Sequence, residues 1–70
     1  MITTHKIDHA KSTIELDVLV EKAAAFCNYK LSTSLSYTEE SDFIEQGNTA
    51  PESLVRILRA AEFRWFELES

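Results

Sequence analysis

Leu54, Leu58, Ala61, Trp65 and Leu68 recur at alternating four- and three-residue intervals, with Ile57 beside them, and no other feature constrains the fold of this chain as much. A helix turns about 100 degrees per residue, so this spacing aligns the side chains on one face. The seam runs for about two heptads, which an ordinary core-facing helix explains without a coiled coil. Thr49-Ala50-Pro51-Glu52 opens it with a capping-box pattern and a Pro in the first turn, where a missing amide hydrogen costs nothing. A helix over about 50–68 is expected.

Ser12-Thr13-Ile14-Glu15 carries the same capping pattern and predicts a second helix over about 13–30, with the Glu reaching back to the cap. Leu16, Leu19, Val20, Ala23, Cys27 and Leu31 share one face of it. Ile14, Val18, Ala25 and Tyr29 fall on the opposite side, and Ile7 is in phase with them if the helix extends backward. The alternation of Ile14, Leu16, Val18 and Val20 also fits a half-buried strand. Glu21-Lys22-Ala23-Ala24-Ala25 continues without a breaker, however, and favours helix. A helix apolar on two sides needs two neighbours, so Ile14, Val18 and Tyr29, together with Leu54, Leu58 and Trp65, are assigned to the core or to a dimer contact.

Between these helices Leu31, Thr33, Leu35 and Tyr37 alternate with Ser32, Ser34 and Ser36, which predicts a short extended segment over about 31–37. Thr38 then caps a short helix over about 39–46, anchored by Phe43 and Ile44 and ended by a left-handed Gly47. The fold expected is a small all-α, three-helix domain spanning residues 1–70, with 1–11 as a mobile N-terminal segment.

A chain of 70 residues buries a smaller fraction of its surface than a long one does and usually needs a further source of stability. Cys27 is its one cysteine, so an intramolecular disulfide or a zinc site built on two thiolates is excluded, and a homodimer is the expectation that remains. The longest stretch without a charge, Leu31 to Thr38, is mostly Ser and Thr, so no membrane span is expected. Met1-Ile2-Thr3-Thr4-His5-Lys6 has no signal-peptide core, and with the lone thiol it points to the cytoplasm. The net charge of -5 is concentrated in Glu39, Glu40, Asp42 and Glu45, a field that opposes nucleic acid as the partner.

Catalytic patterns are missing. A single Gly cannot build a phosphate loop, and neither a nucleophile elbow nor an HExxH motif occurs. His5 and His9 stand four residues apart around Asp8, a spacing that two metal ligands could use, but solvated terminal side chains are the simpler reading. Cys27 on the apolar stripe reads as buried and inert. The chain is therefore not expected to be an enzyme or to take a cofactor or metal.

Surface chemistry offers two sets of candidate partner-binding residues. Glu39, Glu40, Asp42 and Glu45 form an acidic face that could be an ordinary solvated one or could meet a basic partner. On the last helix, Phe63 falls about 180 degrees from Leu54, beside Arg56 and Arg59 and flanked by Val55 and Phe66. Aromatic residues and Arg dominate interface hot spots, which makes Arg56, Arg59, Phe63 and Phe66 the first candidate surface. If instead the helix stops near Glu62, Phe63 turns into the core and Arg64 to Glu69 becomes a strand. The order from Thr38 to Leu68 would then be helix, a turn at Gly47-Asn48-Thr49, a helix with Leu54, Arg56, Leu58 and Arg59, and a strand. That order resembles winged helix-turn-helix domains and implies, as the alternative, a DNA-binding transcriptional regulator. The function expected first is a small acidic protein-protein interaction module, a regulator or inhibitor of a larger partner such as an adaptor, antitoxin or phage-type inhibitor.

Overall fold

The computed structural model describes residues 2–32 and 34–70. These form four helices and no strand: α1 (Thr4–Asp8), α2 (Thr13–Phe26), α3 (Tyr37–Gly47) and α4 (Glu52–Glu69). The all-α class holds, with one helix more than the sequence reading counted. Thr33 of the expected extended segment lies outside the described residues, and Tyr37 already belongs to α3.

α1 lies within the N-terminal segment 1–11. Thr3 caps it by accepting from the Lys6 amide, and Ile7 and Ala10 are fully buried. From α4, Arg64 donates through Nε (2.9 Å) and Nη2 (2.7 Å) to the Ala10 carbonyl. A buried Ile and a charge-assisted fork thus dock a segment too short to be a stable helix alone. Ile7 consequently does not continue the second stripe of α2.

α2 begins as expected, with Ser12 Oγ accepting from the Glu15 amide at 3.1 Å. The Glu15 carboxylate reaches past the cap to the Lys11 amide. The helix stops at Phe26 rather than Lys30. Asn28 adopts φ 56, its amide donates to Ala25, and the Tyr29 amide donates to Ala24. This pair of bonds is a Schellman motif in which Asn replaces the usual Gly.

α3 is longer than expected at its start, because Ser36 and Glu39 form a reciprocal capping box upstream of Thr38. At its end Gly47 keeps a negative φ and Asn48 takes the left-handed position at φ 51. Phe43 does not anchor the helix, being 59% exposed, whereas Glu40, Ser41 and Ile44 point inward. The capping box expected at Thr49 does not form: Pro51 is the N-cap of α4 and makes no side-chain bond. α4 runs unbroken to Glu69, so the strand that a wing would require is absent from 64–69.

α4 organises the domain by packing against each of the other three helices, most extensively against α3, while α1 also touches α2. The core gathers Ile7, Ala10, Leu16, Val20, Ala23, Ala24 and Ile44 around Leu54, Val55, Ile57, Leu58 and Ala61 of α4. Val55 is buried rather than on an open flank. Trp65, Leu68, Leu19, Leu31, Tyr29 and Cys27 pack at its margin, so Cys27 is half-buried. Among the described residues no helix is long and apolar enough to cross a membrane.

Candidate partner-binding surface

Because α4 is helical to its end, its back is a real surface. Phe63 is 68% and Phe66 67% exposed, and Arg56 and Arg59 are exposed with them. The helical period that buries Leu54, Leu58 and Ala61 forces these four residues outward together.

The acidic residues of α3 divide among three tasks. Glu39 is spent locally: its carboxylate accepts from the Ser36 amide at 3.1 Å, and the Ser36 bonds hold its pKa below the ordinary value. Glu40 leaves the surface altogether. It is 3% exposed, accepting from the Tyr29 hydroxyl and the Ser32 amide, both at 2.7 Å, and so ties the α2–α3 connection to α3. Burial first, and the Glu40 bond second, push the Tyr29 phenol up to about 12. Asp42 and Glu45 remain exposed and meet Arg59 across the helix pair, at 3.5 and 2.9 Å. The hydrogen bond to Glu45, reinforced by Asp42, raises the Arg59 pKa.

Arg59 therefore joins two surfaces that sequence kept apart, the acidic face of α3 and the aromatic back of α4. These ion pairs are solvent-exposed, a class that typically adds at most about 1 kcal/mol, so they orient Arg59 more than they stabilise the fold. Among the described residues Arg56 has no ion pair.

Of the residues assigned to core or dimer, Leu54 and Leu58 are fully buried and Trp65 and Tyr29 are half-buried. Ile14 is 76% exposed and Val18 is exposed beside it, so neither belongs to the core. Sequence reasoning missed Phe26 and Phe43 as surface aromatics. The Schellman signal at Asn28 would have located Phe26 at a helix end; Phe43 carries no comparable local signal.

His5 and His9 stack at 4.3 Å between ring centroids, and His9 Nδ1 lies 2.8 Å from the His5 carbonyl oxygen. Among the described residues no three His, Cys, Asp or Glu side chains converge to hold a metal. No family model matches the chain, and neither a curated protein nor a solved structure matches it.

Proposed function

We propose that this chain is a non-catalytic protein-interaction module of the cytoplasm, a small acidic regulator or inhibitor of a larger protein. It docks through the back of α4 and the adjoining edge of α3. The observation that carries this reading is the exposure of Phe63 and Phe66 on the same face as Arg56 and Arg59. Two aromatic rings in water are costly to leave uncovered, and rings beside guanidinium groups are the usual anchors of interfaces. Asp42 and Glu45 supply a polar rim around them.

A second copy of the chain is the accessory partner in this proposal. Ile14, Val18 and Phe26 leave α2 with apolar surface of its own, distinct from the back of α4. DNA binding is less well supported, since 64–69 is helix instead of wing and α4 opens on Pro51-Glu52 rather than on basic or amide side chains.

Affinity capture from the source cell, with Arg56→Glu/Phe63→Ala as the paired bait, tests the surface. Proteins held by the parent chain and lost by the variant, with the circular dichroism spectrum unchanged, are the expected result. Equal capture by both baits rejects the surface. Light scattering over a dilution series reads self-association, and a constant monomer mass removes the dimer.

A further inference from the structure

α2 and α3 both lean on α4, but their backbones do not pack on each other. They are bridged instead by the Tyr37 hydroxyl, which donates to Asp17. The gap this leaves is an open cleft of about 350 Å³, lined by Asp17 of α2, Leu35, Ser36 and Tyr37 at the start of α3, and Glu62 and Trp65 of α4. That is a size at which small groups bind.

Its chemistry is one-sided. Tyr37 and Trp65 meet edge to face, with centroids 6.0 Å apart and planes at 80°. Both rings are half-buried, packing against the core and also lining the cleft. Two carboxylates flank the rings, and no lining residue is basic. Among the described residues the ion pairs are Arg59 with Asp42 and Glu45, and Arg64 with Glu67, so Asp17 and Glu62 are both without a cation. The Tyr37 phenol senses this environment: burial raises its pKa, followed by the Asp17 hydrogen bond and the charges of Asp17, Glu21 and Glu62. Aromatic faces framed by carboxylates complement a planar or alkyl cation through quadrupole and charge together.

We propose that the cleft between Tyr37, Trp65, Asp17 and Glu62 receives an arginine or lysine side chain presented by the protein partner. This rests on the reading of the chain as a protein-binding module, and it identifies the chemistry of the contact: the partner brings a basic residue to the α2–α3 gap while the back of α4 supplies the aromatic anchors. The net charge of -5 favours the approach of such a group.

Trp65 is the only tryptophan, so its fluorescence reports directly on the cleft. The intact chain is titrated with N-acetyl-arginine amide and, separately, with N-acetyl-citrulline amide, which has nearly the same shape without the charge. The expected result is a saturable change with arginine amide, with a Kd on the order of millimolar for a single exposed cation site. Citrulline amide gives no saturation, and Asp17→Asn/Glu62→Gln weakens arginine binding by about fivefold or more while keeping an acceptor for Tyr37. Equal responses to the two amides, unchanged binding by the variant, or no saturable change overturns the proposal. If the double variant loses its helical spectrum, Glu62→Gln alone is read by the same criteria. Arg56→Glu/Phe63→Ala keeps arginine-amide binding, so loss of partner capture there and loss of the cation site here are separate outcomes.

Discussion

α2 and α4 are both amphipathic, yet they stand differently in the domain. α4 buries Leu54, Val55, Ile57, Leu58 and Ala61 and touches every other helix. α2 buries Leu16 and Val20, but the rest of its buried stripe is Ala23 and Ala24, and Ile14, Val18 and Phe26 face outward. Small residues bring the α2 backbone close to α4 while contributing little transfer free energy, and polar bridges at Tyr37 and Tyr29 complete the attachment. The difference separates a helix that holds the fold together from one that is held by it. Apolar surface on the second is available for other work.

Substitutions can break this contrast. Leu58→Ala is expected to have the largest effect, about 2–5 kcal/mol from lost burial and the cavity left, read by urea unfolding. A cost below about 1 kcal/mol would show that α4 is not the centre of the core. Arg64→Ala comes next, at about 1.5–3 kcal/mol for loss of a charge-assisted fork, and its effect should be local. Amide exchange should accelerate across 4–10 and little elsewhere; uniform acceleration would mean that α1 opens only together with the other helices.

The polar attachment of α2 is sharpened by alkaline titration. Both tyrosine phenols are raised above the usual 10, Tyr29 to about 12, so the folded state holds their protons more tightly than the unfolded state does. Their contribution is complete below pH 10 and is lost as pH rises from 10 through the folded values. Absorbance at 295 nm should show both ionising late, together with loss of helix. Ionisation near pH 10 with the helix intact would deny the bridges to Asp17 and Glu40. The smallest effect is expected from Val18→Ala, within about 0.5 kcal/mol, because that side chain is exposed and Ala is the better helix former. A cost like that of Leu58→Ala would reveal a covering partner on α2.

Local rules were legible where the chemistry is local. The seam of α4 and the Ser12 cap follow from short-range spacing, and both are present. The misplaced ends were legible too: Ser36-x-x-Glu39 is the same pattern as Ser12-x-x-Glu15, and Asn28 and Asn48 are the residues after Gly most tolerant of a left-handed backbone. Of the candidate surface, Arg56, Arg59, Phe63 and Phe66 could be placed from period alone once α4 was known to reach Glu69.

Glu40 and Glu39 show where sequence stopped. They are adjacent, identical and equally suited to a first helical turn, yet one is solvated and the other is buried against Tyr29 and Ser32. No spacing rule separates them, because the distinction depends on where the α2–α3 connection crosses α3. The docking of Ile7 and Ala10 under Arg64, and the cleft left where the α2 and α3 backbones do not pack on each other, have the same origin. Sequence by itself determined the helical class and the buried seam of α4, since backbone periodicity and capping are short-range. Tertiary structure decided which carboxylates are surface and what lies between the helices, because burial and pairing depend on residues far apart in the chain.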